Sequence, residues 1–475
     1  MIHSLLSMVT RHWVSLVGAI VALIALLVMA ALFALESSGF HGGSYLGILT
    51  YMLLPMVFVV GLLMGPLGAW LHRRQVAAAV AHHEAAPPAL PVIDLNDDHT
   101  RRVVLASVVI GMVSLVLVAG ATYKGVEVME SVEFCGTTCH TVMQPEHTAF
   151  LRSSHSRLRC ADCHIGPGAD WFVKSKISGS WQLVSVAFKL YPTPIPSPVH
   201  NLRPARETCE QCHWPTKNLG DKLLVQTRFA DDETNSMTKT VLMMRIGGQS
   251  GTTSTGIHWH VDRDVKIRYL SDPSRQKIYD VEITTPGGKV QTYKTEAKPE
   301  GPVEWRNMDC VDCHNRPAHV FKLPSQEINS ALDDGRIDRT LPFIKREGLR
   351  VLQEGKYASH EAARVGIARE IEGFYKAKYA ELAVSKAPAI AAAGKALGDI
   401  YSWNVFPAMK VTWGTYPVNI GHTDEAPGCF RCHDKKHIAA DGAKIGANCK
   451  TCHAVLADDE ADPAICKDLC KDPKP

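Results

Sequence analysis

Paired cysteines followed directly by a histidine recur along this chain of 475 residues. Two cysteines at this spacing form thioethers with the vinyl groups of a haem, and the adjacent imidazole binds the iron. Five copies have the C-x-x-C-H spacing, and a sixth has one extra residue between its cysteines. The pattern predicts a cytochrome with six covalently bound haem c groups. In chain order, sites one to six are Cys135, Cys139 and His140 (the stretched copy); Cys160, Cys163 and His164; Cys209, Cys212 and His213; Cys310, Cys313 and His314; Cys429, Cys432 and His433; and Cys449, Cys452 and His453.

Two further cysteines lie near the C-terminus, in the segment Cys466-Lys-Asp-Leu-Cys470, which lacks a histidine. The favoured interpretation is a disulfide or a free pair in an exposed tail. The alternative is a seventh haem with Lys471 as its proximal ligand. Zinc is disfavoured at the six sites, because a histidine follows the second cysteine every time.

A low-spin haem needs a second axial ligand, which is usually a histidine. His258 and His260 alternate in a strand-like run and are expected to point to one face, so at most one is expected to be a ligand. His147 and His360 are expected to be bystanders, and Met143 is either a packing residue or an axial sulfur. Five other histidines lie at short distances from a motif and are the predicted ligands of neighbouring haems: His155, His200, His319, His422 and His437.

Three apolar runs precede the first haem site, and each is about as long as a bilayer core requires. They extend from Trp13 to Leu35, from Tyr45 to Leu71 and from Val103 to Thr122. Arginines flank these runs on one side, whereas the loop after the first run has no Lys or Arg. The basic side faces the cytoplasm. We therefore expect three spans of the inner membrane, a cytoplasmic N-terminus and a periplasmic haem region. The alternative for the first run is a cleaved signal peptide, although its apolar part is long for one.

Composition divides the chain into five segments. We expect a membrane anchor over residues 1–125, three haem sites over 126–220, a β-rich insert over 221–305, the fourth site with a helical region over 306–420, and the last two sites with a C-x-x-x-C tail over 421–475. The insert alternates apolar and polar residues, as antiparallel strands do. The predicted fold class is mainly α, packed around haem, with three N-terminal transmembrane helices and a small antiparallel β-insert. The net charge of +3 indicates no nucleic-acid partner.

The first two haem sites and their surroundings resemble the NapC/NirT/NrfH family of membrane-anchored quinol dehydrogenases. The resemblance is carried by Phe134-Cys-Gly-Thr-Thr-Cys-His-Thr-Val-Met143, by Ser153-Ser-His155, by Cys160-Ala-Asp-Cys-His164 and by the run from Trp171 to Lys176. With the later motifs, including Gly428-Cys-Phe-Arg-Cys-His-Asp-Lys-Lys-His437, the chain looks most like the larger ImcH-type inner-membrane cytochromes. Members of that type pass electrons from the quinol pool toward extracellular acceptors.

The resemblance implies a quinol site at the membrane face of the first haem. Lys174 or Lys176 would correspond to the family's quinol-site lysine, and Met143 to its axial methionine, although the spacing from the motif is one residue longer here. Apolar residues occupy the place of the acidic group that the family has about two helical turns after the lysine. Asp170 is the candidate substitute.

We therefore expect a membrane-bound cytochrome that oxidises a quinol, such as menaquinol, and passes the electrons along its haems. The acceptors would be periplasmic c-type cytochromes or a periplasmic reductase. Two alternatives stay open. One is an electron-transfer subunit of a larger complex, in which the quinol is oxidised elsewhere. The other is a terminal reductase of the nitrite type, which needs one haem iron with an open position.

Overall fold

The computed structural model describes most of the chain and divides into two compact units. One unit comprises residues 1–129 and 165–180, and the other comprises residues 130–164 and 181–475. The described residues are 12–37, 53–81, 95–99, 101–102, 104–105, 109, 123, 126–137, 140–166, 168–199, 202–213, 220–247, 249–250, 253–254, 256–285, 287–422 and 426–470.

Two apolar helices pack against each other in the first unit. They are α1, Trp13–Ser37, and α2, Leu54–Ala81. A Cβ added to Gly18 would come within 2.5 Å of Met64 Cβ, and one added to Gly61 within 2.7 Å of the backbone nitrogen of Ala22. Apolar helices in lipid associate through such close contacts, because lipid tails provide no hydrophobic driving force between them. Glycine at these positions therefore fits a membrane-embedded helix pair.

The described part of the chain contains one complete candidate span, where the sequence analysis predicts three. Leu54–Ala79 is long and apolar enough to cross a bilayer, and Trp13–Met29 is a shorter apolar segment. The third predicted run, from Val103 to Thr122, lies almost entirely outside the described residues. Helix α2 continues to Ala81, beyond the end of the second predicted apolar run at Leu71.

Short helices carry most of the haem motifs. In chain order the helices of this region are α3, Val132–Thr137; α4, His140–Leu151; α5, Cys160–His164; α6, Ala169–Ala187; α7, Ala205–Cys209; and α8, Cys310–Cys313. Two more lie near the C-terminus, α14, Cys449–Cys452, and α15, Cys466–Leu469. One turn of helix places residues three apart on the same side, which presents both cysteines of a motif to one haem edge.

Five further helices form a core that contains no haem motif. They are α9, Pro324–Asp333; α10, Ile344–Glu354; α11, His360–Lys378; α12, Ala380–Ser385; and α13, Ala387–Asn404. In α11 the Ser359 hydroxyl caps the first turn by accepting from the backbone N–H of Ala362. Ile367, Ile371 and Tyr375 follow at four-residue intervals and are fully buried. Each such side chain contributes roughly 1.5–3 kcal/mol, so this bundle is a stable scaffold.

Antiparallel sheets form in the predicted insert, and they also include strands from the C-terminal region. The strands are β1, Gly220–Phe229; β2, Met237–Gly247; β3, Gln249–Ser250; β4, Thr253–Ser254; β5, Lys266–Ser271; β6, Ile278–Thr284; β7, Val290–Lys294; β8, Glu304–Asn307; β9, Ile438–Ala439; and β10, His453–Glu460. Their orders are β1-β2-β10, β3-β4 and β8-β5-β6-β7-β9. In β5, Ile267 and Tyr269 are buried whereas Lys266 and Arg268 are exposed, because successive side chains point to opposite faces. The described residues thus form helices together with small antiparallel sheets.

Candidate haem-binding centre

The motif cysteines have exposed surface. Eleven free cysteines are described, and each is half-buried or exposed. Free cysteine ordinarily behaves as a small hydrophobic residue and is among the most buried residue types. This large number of solvent-accessible thiols is consistent with cysteines whose sulfur atoms bond covalently to a bulky group. Cys139, the second cysteine of the stretched motif, lies outside the described residues.

Five motif histidines each face one histidine from elsewhere in the chain. The distances between ring centres are 6.0 Å for His155 and His213, 6.2 Å for His164 and His319, 6.4 Å for His258 and His314, 5.7 Å for His260 and His433, and 6.3 Å for His422 and His453. A metal between two imidazoles separates their centres by roughly 6 Å, because each metal–nitrogen bond is about 2 Å and each nitrogen lies about 1 Å from its ring centre. The five pairs therefore have the spacing of two axial ligands on one iron.

Hydrogen bonds fix which ring nitrogen is free in several of these histidines. The Nδ1 atoms of His319, His260 and His433 lie 3.0, 2.7 and 2.5 Å from the carbonyl oxygens of Glu146, Ile257 and Gly446, respectively. A carbonyl oxygen only accepts, so each Nδ1 carries the proton and donates it. Nε2 is then left with its lone pair for a metal. Histidines that bind metals are commonly oriented in this way.

The protonation of the paired histidines also suits metal binding. Burial lowers the pKa of His164, His258, His260 and His314, and a neighbouring imidazole lowers it further at each of them. All four side chains are therefore neutral at pH 7, which is the form that binds iron. His164 retains exposed surface although protein surrounds it, as expected for a residue that lines a cleft. Thus the donor set, the spacing and the free thiols all fit covalent haem.

Three of the five histidines predicted as sixth ligands lie opposite a motif histidine in the structure. His155, His319 and His422 each face a motif histidine of another site. His437 is in none of the five pairs; it is fully buried, with Nδ1 at 2.9 Å from Asp434 Oδ1 and no partner for Nε2 among the described residues. His200 lies outside the described residues.

The conformation of His258 and His260 differs from the strand-like conformation that the sequence predicts. They lie on a 3-10 helix, Gly256–Val261, not on a strand. In a strand, residues two apart point the same way, but in a helix of three residues per turn they point in different directions. The rings consequently reach two different motif histidines, His314 and His433. Sequence alternation alone misses this arrangement.

Two other histidines and Met143 have local environments of their own. The His360 Nε2 lies 2.7 Å from the carbonyl oxygen of Val405, so this nitrogen carries a proton and is not free for iron. The His147 ring packs directly on Gly136, inside the stretched motif, where no larger residue would fit. Met143 is half-buried on α4, one turn after the start of the helix at residue 140.

Neighbouring sites touch through their cysteines in the order of the chain. A hydrogen bond to Cys135 raises the pKa of Cys160, whose thiol is the donor, and Cys209 and Cys310 form a second hydrogen-bonded pair. With haem attached these sulfurs are thioethers that do not titrate, but their closeness shows which sites adjoin. Electrostatic contacts join the remaining sites: Cys163 with Cys209 and Cys212, Cys313 with Cys429, and Cys452 with Cys429. The six sites therefore form one continuous series.

A buried network of polar side chains connects the fourth and fifth motifs through hydrogen bonds. Asp312, between the cysteines of the fourth motif, accepts from Tyr269 Oη at 2.7 Å and from Arg306 Nε at 2.8 Å. Burial and the charge of Asp312 raise the pKa of Tyr269, which keeps its hydroxyl a donor. Arg431, between the cysteines of the fifth motif, donates to the backbone oxygen of Asp312 at 2.6 Å. The sequence gives no signal for this network, because the two middle residues of a haem motif vary freely.

The spare cysteines and the candidate quinol residues are not members of these pairs. Cys466 and Cys470 form a disulfide with an S–S distance of 2.09 Å, the favoured interpretation of the sequence. Lys174 Nζ lies 4.3 Å from the ring centre of Trp171, and Lys176 Nζ 4.6 Å from that of Phe172. Asp170 is exposed in the first turn of α6. All these α6 residues belong to residues 165–180, which are grouped with the membrane helices.

Comparisons with known proteins agree with this arrangement of motifs. Residues 98–194 match the NapC/NirT cytochrome c family, N-terminal region. Over 450 residues the chain is 39% identical to the cytochrome c-type protein ImcH of Geobacter sulfurreducens, covering 93% of this chain and 87% of ImcH. It is also 36% identical to the cytochrome c-type protein TorC of Escherichia coli over 83 residues, 16% of this chain and 21% of TorC. No solved structure matches the chain. The chain therefore belongs to the NapC/NirT family of membrane multihaem c-type cytochromes, as a relative of ImcH that works in electron transfer.

Proposed function

We propose that this protein oxidises a quinol at the periplasmic face of the inner membrane and passes the electrons through six haem c groups to a periplasmic acceptor. The observation that carries the proposal is the set of five histidine pairs, each joining a motif histidine to one from another segment at 5.7–6.4 Å. Iron with two imidazole ligands changes oxidation state without binding substrate. Such sites suit electron transfer and disfavour the reductase alternative.

The proposed ligand sets follow from these pairs. Bound haem supplies one-electron chemistry at its iron, and the protein supplies the ligands, the spacing and the surroundings. Sites two to six would each be held by two thioethers, the motif histidine and its facing histidine. The first site would use His140, with Met143 as the proposed axial sulfur; the side chain of His140 is outside the described residues. The count of six leaves Cys466 and Cys470 in their disulfide.

The entry end of the path is proposed beside α6. Oxidising a quinol releases two protons and two electrons, and the electrons leave one at a time into the first haem. Lys174 or Lys176 would bind a headgroup oxygen, and the exposed carboxylate of Asp170 would accept a proton. The location of this segment with the membrane helices supports that role. Three spans, a cytoplasmic N-terminus and a periplasmic haem region complete the proposed topology, and a periplasmic c-type cytochrome or reductase is the proposed acceptor.

The quinol role is tested with purified full-length protein and a menaquinol analogue as the only reductant. We expect the analogue to reduce the haems, and we expect Lys174→Ala with Lys176→Ala to slow this reduction at least tenfold, because the headgroup loses its cationic partner. Reduction by dithionite and haem content should not change. Lys222→Ala, which removes an exposed lysine from β1, is the matched control.

Two results would contradict the proposal. If the analogue reduces no haem in the wild-type protein, the protein is an electron-transfer subunit that receives electrons from a separate quinol oxidase. If the double variant keeps the full rate, the quinol site lies elsewhere than on α6.

A further inference from the structure

A carboxylate lies beside the outer nitrogen of one proposed ligand. Glu146 is on α4, and its backbone oxygen lies 3.0 Å from His319 Nδ1. Its side-chain Oε2 lies 3.2 Å from the same nitrogen. The single N–H of Nδ1 is thus directed between a backbone carbonyl and a carboxylate of the same residue. No other histidine among the five pairs has a carboxylate at this distance in the described part of the chain.

An arginine holds this carboxylate in place. Arg316 Nη2 donates to both carboxylate oxygens of Glu146 at 2.8 Å, and Arg316 Nε donates to the backbone oxygen of His319 at 2.6 Å. The Arg316 side chain is only 7% exposed, and its guanidinium lies 4.3 Å from the ring centre of Tyr416. A charged nitrogen that binds both carboxylate oxygens in such surroundings fixes the carboxylate position. Arg316 therefore ties together the two residues that meet at Nδ1.

The charge of Glu146 acts on both histidines of this site. The carboxylate oxygen Oε2 lies 3.2 Å from His319 Nδ1, and the His319 ring faces that of His164 at 6.2 Å. A carboxylate that accepts from the outer nitrogen of a metal-bound histidine makes that ligand a stronger electron donor. A stronger donor stabilises oxidised iron more than reduced iron. The consequence for the site is a lower reduction potential.

We propose that Glu146 is a positioning residue that orients His319 and lowers the reduction potential of the second haem, with Arg316 holding its carboxylate. The inference rests on the proposed function, because it needs His164 and His319 to be the axial ligands of one iron. Glu146 would exchange no bond and no proton with this site, where a bound haem would supply reversible one-electron chemistry. Arg316 follows the fourth motif in sequence, so the fourth haem segment helps to set the properties of the second.

The inference is tested by Glu146→Gln in the haem-loaded full-length protein. The backbone oxygen of residue 146 still accepts from Nδ1, so His319 should remain bound and the haem should remain low spin. Loss of the charge should favour the reduced form of that haem by at least about tenfold at a given potential, or about 59 mV for one electron. The readouts are a spectroscopic redox titration and the electron paramagnetic resonance signal of the affected haem.

Glu327→Gln is the matched control for loss of a buried carboxylate. Glu327 is 1% exposed and is paired with Arg152 at 2.7 Å, but its carboxylate binds no histidine. This variant should change thermal stability and leave all haem potentials unchanged. A potential of the second haem that is unchanged in Glu146→Gln, or that shifts equally in both variants, would overturn the inference.

His319→Ala separates failure of the inference from failure of the ligand assignment. If one haem becomes high spin in His319→Ala while Glu146→Gln leaves its potential unchanged, the ligand pair is correct and only the role of Glu146 is wrong. If every haem in His319→Ala stays low spin, the pairing of His164 with His319 is itself wrong.

Discussion

Individual histidines in this protein are distinguished by the nitrogen that remains free. His260 and His319 use Nδ1 as a donor to backbone oxygens and keep Nε2 available for iron. His360 does the opposite, because its Nε2 donates to Val405. Spacing along the sequence does not reveal this difference, since the acceptor oxygens come from other parts of the fold. Orientation, rather than proximity to a motif, therefore marks a ligand.

We expect His422→Ala to convert one haem from low spin to high spin without loss of covalent haem. His422 faces His453 at 6.3 Å and stacks on Phe430 at 4.2 Å, so removing its ring opens the iron of the sixth site. His360→Ala is the matched control and should leave every haem low spin. Optical and magnetic spectra of the two variants make the comparison. An entirely low-spin His422→Ala protein would exclude His422 as a ligand.

One structural element contributes histidines to two of the predicted haem sites. The 3-10 helix Gly256–Val261 supplies facing histidines to the fourth and fifth sites, and Trp259 between them packs against the sheet core. The insert therefore has a role although it carries no haem motif. The turn at the start of this 3-10 helix is closely packed and requires glycine. Gly256 has φ of +67°, and a Cβ there would lie 2.9 Å from Gly247 Cα and would clash with the carbonyl oxygen of Arg245.

We expect Gly256→Ala to weaken two haem sites together. The added methyl group forces the turn to move, and a non-glycine residue at positive φ costs of order 1–3 kcal/mol. Both His258 and His260 should shift, so the fourth and fifth haems should each gain a high-spin fraction. Gly287→Ala, in a turn where a Cβ meets nothing within 4 Å, is the control. High-spin character confined to one haem would contradict a shared element.

At the scale of the whole molecule, six haem sites form one series within a single unit. Hydrogen-bonded cysteines join the first site to the second and the third to the fourth, and electrostatic contacts join the remaining neighbours. Ligands also cross between segments, since His155 faces the third site and His319 the second. Folding and haem assembly are therefore interdependent across residues far apart in sequence. Under the proposed function, each inner haem of such a linear series would lie on the route of every electron.

We expect Cys209→Ala with Cys212→Ala to divide this route. The third haem would be lost, and a quinol should then reduce only the first two of the five remaining haems. Dithionite should reduce all five, which shows that they are still assembled. Cys449→Ala with Cys452→Ala removes the last haem instead. In that variant the quinol should reduce all five remaining haems. Rapid quinol-driven reduction of the fourth to sixth haems in the first variant would show a branched path.

The sequence by itself determined the chemistry of attachment and the kind of protein. Two thiols and an imidazole at fixed spacing are encoded in a few consecutive residues. The haem-binding motifs can therefore be recognised without knowledge of the fold. Apolar length likewise indicated a membrane anchor, although the described residues contain one complete candidate span. The alternation of apolar and polar residues over 221–305 also predicted antiparallel strands, because such periodicity is local.

Only the tertiary structure decided which histidines face each other and which charges surround them. A pair such as His164 and His319 joins residues 155 positions apart, and nothing in the intervening sequence fixes their distance. His258 and His260 were mistaken for a strand because an alternating pattern of six residues does not distinguish a strand from a tight helical turn. His437 lies near a motif in sequence, yet it is turned toward Asp434. Long-range packing sets these orientations, and so it determines the haem environments.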